Sequence, residues 1–389
     1  MSRDSWHGIK PSDPLTPEER ALLLCARPRL SRLQRQELSS LLKQPTFDWA
    51  SLEALAQFHR MSSWVAHHMT QEKDLSSHAP SVLRIAFRNY LMRMTEADFS
   101  QWRFLRFVAS AFSQAGVSVI VLKGVVLHQA LYSNDSAPRG SADLDLLIRP
   151  EQRLEAQSVL EELKFRFKPK EFYHLPEEDY EGPIEDGTGP SGDGEKLFGL
   201  LDLQWALTPS PWVQRWRGIK KLTQLAWDLE VPLPELLVVG MLPPELTLLQ
   251  MTLNLYKDGP IHFRGLMDVA QFLVRYGAAL DWDRLEEFSV RCEMRAALGY
   301  SCLLAKAIRP EELEGIPLPP LRASWLQHRI LRPLMTPQAI LRRQHARWGL
   351  QWMWPRAAFG PLLVFRELLW YHWCCLCYDR RPNRFKRAV

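Results

Sequence analysis

The pattern of apolar and polar positions changes character several times along the chain. From Thr16 to about Met94, apolar residues recur at helical spacing, as at Leu52, Leu55, Phe58 and Val65. Thr16-Pro17-Glu18-Glu19 predicts a helix start, with Thr16 as N-cap and Pro17 at the first helical position. Pro80 predicts another start, and that helix runs on with Thr95 to Ala115 into Gly116, a residue suited to ending it. Val117 to Leu122 is then a short β-branched apolar run, the pattern of a buried strand. Lys123-Gly124 interrupts it, Val125 to Tyr132 returns to helical spacing, and Asn134, Asp135, Ser136 and Pro138 mark a loop. A second strand follows over Ala142 to Ile148, and a helix over Pro150 to Lys164. That alternation predicts an α/β unit.

Phe165 to Lys196 is irregular, and Glu177 to Glu195 is acidic and glycine-rich, which predicts a solvated loop or a cover for a site. Leu197 to Ala206 reads as a third strand. Pro211 to Pro320 reads as mainly helical: Pro243-Pro244-Glu245 opens a helix through Leu255, Ile261 to Tyr276 gives another, and Trp282 to Lys306 one or two more. The expected organisation is a helical region over 1–94, an α/β core over 95–210, a helical domain over 211–320 and a basic, aromatic tail over 321–389.

Candidate chemistry concentrates in the second strand. Asp143 and Asp145 are one residue apart in an otherwise apolar sequence. Alternation along a strand points both to one face, with Cα atoms roughly 6.5–7 Å apart. Two carboxylates so placed repel each other and resist burial, and a hard divalent cation such as Mg²⁺ relieves both costs. The alternative is an edge strand with a solvated acidic face. Upstream, a strand, a glycine turn and a helix N-terminus make a phosphate cradle. Gly124 permits close approach of a phosphate to the backbone, and Lys123 supplies a point charge. Cradle plus carboxylates is the layout of a nucleotidyl-transfer site.

The stretch resembles the nucleotidyltransferase superfamily typified by DNA polymerase β, and within it a bacterial family of uncharacterised nucleotidyltransferases. The matching residues are Leu122-Lys123-Gly124, Leu131-Tyr132, Arg139 and Asp143-Leu144-Asp145-Leu146-Leu147. The family's acidic-Leu-His-Trp motif has its counterpart in Asp202-Leu203-Gln204-Trp205, with Gln204 where the family usually has His. The resemblance covers about Leu52 to Pro320. It implies an α+β fold, a small mixed-sheet core flanked by N-terminal and C-terminal helical regions. It implies Asp143, Asp145 and Asp202 as catalytic metal ligands and Lys123, Gly124, Arg139 and Lys257 as nucleotide-binding residues. It also implies Mg²⁺ in a one- or two-metal site and NTP as substrate, ATP first. In the helical half, Asp268-Val269-Ala270 and Asp281-Trp282-Asp283 match family motifs, Asn254 stands at a usual His position, and Arg264 joins Lys257 and Asp268 as candidates for phosphate or ribose contacts.

Composition bounds this picture without redirecting it. The chain has 389 residues, 46% hydrophobic and 24% charged, with a formal net charge of +5, compatible with anionic ligands and no more. No run of about 20 uncharged apolar residues predicts a spanning helix, and the first residues lack a signal-peptide core. Six cysteines form no disulfide or zinc spacing, so a reducing cytoplasm is the simplest compartment. His67-His68 reads as a surface pair rather than as metal ligands, and the resemblance makes His174, beside the cover, a candidate for positioning nucleotide or acceptor. The tail interleaves Trp348, Trp352, Trp354, Trp370 and Trp373 with arginines, which suits packing on the protein, nucleic-acid stacking, or contact with a partner or membrane surface. The expected function is transfer of a nucleoside monophosphate from NTP to a hydroxyl on a small molecule, protein or RNA, releasing pyrophosphate. The alternative is a lapsed enzyme that serves as a nucleotide-binding or interaction module.

Overall fold

A computed structural model describes residues 14–132, 139, 143–168, 177–181, 200–207, 217–257, 262–325 and 336–342. The chain begins with helices α1 (Pro17–Leu24), α2 (Arg32–Leu42), α3 (Trp49–Phe58), α4 (Ser62–Gln71) and α5 (Lys73–Ser76). Local chemistry sets their ends. Thr16 and Glu19 form a reciprocal capping box at α1, Ser31 and Gln34 repeat it at α2, and Asp48 caps α3. The 34-residue α6 (Ser81–Gln114) runs unbroken through the position expected to divide two regions, and ends at Gly116, whose φ of +74° suits glycine.

The core that follows is a seven-stranded mixed sheet. Its strands are β1 (Val119–Val121), β2 (Asp143–Ile148), β3 (Arg166–Lys168), β4 (Glu177–Glu181), β5 (Leu200–Gln204), β6 (Val231–Leu233) and β7 (Leu236–Met241). The spatial order is β3-β4-β5-β2-β1-β7-β6. β2 pairs parallel with β5, and β1 with β7; the remaining pairings are antiparallel. Between the strands lie α7 (Lys123–Tyr132), α8 (Arg153–Glu162) and α9 (Arg217–Leu229). Then come α10 (Pro244–Lys257), α11 (Phe263–Tyr276), α12 (Trp282–Arg291), α13 (Arg295–Ile308) and α14 (Pro337–Leu341). This is the expected α+β arrangement: a mixed-sheet core flanked by helices.

Alternation along the strands gives the sheet two unlike faces. On one, Leu144, Leu146 and Ile148 of β2 and Leu201 and Leu203 of β5 join Phe104, Leu105, Val108 and Phe112 of α6 and Ala156 and Leu160 of α8 in a dry layer. On the other, Ile120 and Leu147 belong to the core shared with the helical regions, together with Leu127, Leu131 and Tyr132 of α7. The acidic residues of β2 and β5 alternate with the dry-layer leucines and therefore face this second side.

Three expectations change. Glu177–Glu181 is a strand, not a solvated loop; Tyr180 anchors it, buried with its ring 5.6 Å from that of Phe167. Pro211 to Pro320, read as mainly helical, also contributes β6 and β7 to the sheet, beyond the 95–210 expected for the α/β core. His67 and His68 are buried, not a surface pair. The His68 ring hydrogen-bonds the Arg27 carbonyl at 2.8 Å, and a doublet on one helix turn carries no signal of such long-range burial. Burial, aided by the adjacent His67, pushes the His68 imidazole down to about 4. His174, most of the cover segment and residues 343–389 of the tail lie outside the described residues.

Candidate active site

β2 and β5 lie side by side in register, with Asp145 opposite Asp202. The dry layer holds the leucines on either side, so both carboxylates point the other way. Carboxylate oxygens of Asp143, Asp145 and Asp202 all lie within 4.8 Å of one another. β1 is antiparallel to β2, with Val121 opposite Leu146, and the Leu122 amide donates to the Asp145 carbonyl at 3.0 Å. The next residue, Lys123, consequently reaches the carboxylates, and its Nζ lies 2.7 Å from Asp145 Oδ1.

Gln204 completes the environment of Asp145. It lies two residues beyond Asp202 on β5, hence on the same face, and its side-chain amide donates to Asp145 Oδ1 at 2.8 Å. Lys123 and Gln204 thus meet the same oxygen. The motif departure from His to Gln keeps a neutral donor on the carboxylate. Asp145 is 3% exposed, so these two donors orient a buried group.

Three carboxylates meet here beside the Lys123 ammonium, and Arg264 lies within electrostatic reach of Asp143. At separations near 4.8 Å, two charged carboxylates repel by on the order of 3 kcal/mol per pair at an effective dielectric of about 20. Burial alone would lower the Lys123 pKa, but Asp145, helped by Asp143 and Asp202, outweighs it and the net shift is upward. Three clustered carboxylates are hard oxygen donors of the kind that fit a divalent cation.

Beside the carboxylates, the chain turns at Gly124 (φ 48°, ψ −110°), a conformation reserved for glycine, before α7 continues. The Gly124 carbonyl accepts from Arg139 Nη1 at 3.3 Å. Arg139 is 7% exposed and also donates through Nε and Nη2 to Asp268 Oδ2, at 3.0 and 2.9 Å. The other Asp268 oxygen accepts from the Tyr132 hydroxyl at 2.7 Å. Gln271 and Tyr276 of α11 donate to the Leu131 and Ala130 carbonyls, so the last turn of α7 is closed by side chains from α11.

Of the residues expected from sequence, the structure brings together Asp143, Asp145, Asp202, Lys123 and Gly124. Arg139 sits one step back, on Gly124 and Asp268. Asp268, expected near phosphate or ribose, is the buried acceptor of the Tyr132–Arg139 network. Arg264 is half-buried on α11, its guanidinium pushed down to about 10, first by burial and then by neighbouring Arg139. Lys257 ends α10, and its side chain lies outside the described residues. Sequence reasoning missed Gln204 as a donor to Asp145, although the same-face spacing from Asp202 was present to suggest it. It also missed the His128–Asp98 pair at 2.8 Å, which joins α7 to α6 and has no local signal.

Among the described residues, no helix is long and apolar enough to cross a membrane. No match was found among curated proteins or solved structures. A family model does match, over residues 45–310, and both acidic motifs lie inside that span. The chain therefore belongs to the uncharacterised nucleotidyltransferase family.

Proposed function

We propose that this chain is a Mg²⁺-dependent nucleotidyltransferase of polymerase β-like type, moving a nucleoside monophosphate from NTP, ATP first, to a hydroxyl acceptor. The single observation carrying this reading is the convergence of Asp143, Asp145 and Asp202 within 4.8 Å beside Lys123 and the Gly124 turn. The three carboxylates would hold the metal, which supplies charge stabilisation at the attacking and leaving oxygens of an in-line displacement.

The chain's own groups do the rest. The Gly124 turn offers backbone N–H groups to phosphate oxygens. Lys123 exchanges part of its contact with Asp145 for the anion. Arg139 acts by holding the turn from behind rather than by leaving Asp268. The acceptor oxygen attacks the α-phosphorus, the bond to the bridging oxygen breaks, and pyrophosphate leaves. Asp202 lies on the acceptor side and takes the hydroxyl proton. Gln204 keeps Asp145 in one orientation throughout.

The test is ATP binding with and without Mg²⁺, followed by thermal shift and calorimetry. Ligand at about 100 times its dissociation constant should stabilise the fold by roughly 2.7 kcal/mol. The stabilisation should require Mg²⁺ and disappear in Asp143→Asn/Asp145→Asn. Equal binding by the double variant, or no binding by the wild type, would return the reading to a lapsed interaction module.

A further inference from the structure

The stretch of α6 from Ser81 to Ser100 contains no buried position, although the same helix continues into the dry layer of the sheet. Two apolar stripes run along it. Leu83, Phe87, Tyr90, Leu91 and Met94 are half-buried, and Phe87 packs against the helical core. Ile85, Met92 and Phe99 recur every seven residues, two helical turns, so they share a second face that Val82 extends. Val82, Ile85, Met92 and Phe99 are 75%, 61%, 58% and 67% exposed. Four large apolar side chains in one line on a surface helix mark an interaction face.

We infer that a second copy of this chain covers the face, with the two α6 helices antiparallel and the two-fold axis at Met92. The sequence is self-complementary about that residue. Ile85 and Phe99 are each seven positions from it, and Arg88 and Glu96, both exposed, are each four. A two-fold axis at Met92 sets Met92 against itself, Ile85 against Phe99 and Arg88 against Glu96, each contact made twice, as an isologous interface requires. A parallel pair would instead bring Arg88 to Arg88 and Glu96 to Glu96. Asp98 takes no part, because it faces His128 of α7. The chain's own residues 343–389 are a poorer occupant: they hold nine basic against two acidic residues, and would meet Arg84, Arg88 and Arg93. The inference stands apart from the proposed activity.

The test is the solution mass of the full chain by sedimentation, with cysteine cross-linking as the readout of geometry. The wild type should be a dimer, and Phe99→Glu should weaken it at least ~10-fold. Arg88→Glu should weaken it too, and Arg88→Glu/Glu96→Arg should restore it, since the swap keeps opposite charges facing each other. Met92→Cys should cross-link to itself under mild oxidation. Ile85→Cys should cross-link to Phe99→Cys in a mixture of the two variants and not to itself. Circular dichroism checks that each variant is folded; the substituted side chains face solvent. A wild-type monomer at the highest soluble concentration would overturn the inference. So would a dimer indifferent to Phe99→Glu, or a monomer whose stripe sediments it with phosphatidylglycerol vesicles.

Discussion

Two ion pairs are built around α7, and they differ in how many carboxylates they gather. In one, Asp268 receives Arg139 on one oxygen and Tyr132 on the other. In the other, Lys123 and Gln204 both meet Asp145 Oδ1, while Asp143 and Asp202 bring two further carboxylates. The first is closed around a single carboxylate, each of whose oxygens is engaged by a donor. The second gathers three carboxylates turned the same way, an arrangement open to a cation. A closed network fixes structure; gathered carboxylates repel one another, and a cation relieves that repulsion. The two are neighbours because Arg139 also holds the Gly124 turn beside the open site.

Breaking the closed pair should have the largest effect. Asp268→Ala leaves the Arg139 guanidinium buried without its counter-charge, and should destabilise the protein by about 3–5 kcal/mol in denaturant titrations, with or without Mg²⁺. Acid strikes elsewhere. His68 is neutral in the fold with a pKa lowered from 6.5 to about 4, so the unfolded chain takes up a proton first as pH falls. Its contribution is fully present above pH 6.5 and is lost on the way to about 4, a fall of roughly 3 kcal/mol. His68→Gln should flatten that part of the pH–stability curve, which separates fold loss from any change at the carboxylates.

Smaller effects sharpen the contrast from the open side. Neutralising Asp143 and Asp145 removes their mutual repulsion but also the Lys123 counter-charge, so the apo protein should change in stability by less than Asp268→Ala does, while losing the ~2.7 kcal/mol that saturating ligand adds. The measurement is the melting temperature of wild type and variant with and without Mg²⁺ and ATP. Gln204→Leu should lower metal affinity by about tenfold through loss of the amide that orients Asp145, with little change in the melting temperature of the apo protein. Gln204→His should restore affinity at neutral pH if a donor is all that is needed, as calorimetric titration would read.

The open site was the more legible of the two in the sequence. Its parts are short-range: a D-x-D on one strand, a Lys-Gly at a strand end, and an acidic strand whose alternation matches. Period-two alternation alone turns Asp143, Asp145, Asp202 and Gln204 away from the leucines. The closed network was visible only as fragments, because Arg139 and Asp268 are 129 residues apart and nothing local joins them. For the same reason the His67-His68 doublet read as a surface feature, since its burial depends on the Arg27 carbonyl 41 residues away. β4 was hidden by its acidic composition, which masks a strand held by one tyrosine. β6 and β7 were hidden because a short hairpin amid long helices adds little periodic signal.

The most direct test of the contrast is divalent-cation binding, read by electron paramagnetic resonance with Mn²⁺ as the probe, on wild type, Asp202→Asn and Asp268→Asn. The account predicts Mn²⁺ bound by the wild type and displaced by Mg²⁺. Binding should be weakened at least ~10-fold by Asp202→Asn and nearly unchanged by Asp268→Asn in whatever fraction stays folded. Mn²⁺ bound equally by wild type and Asp202→Asn, or lost only with Asp268→Asn, would contradict it.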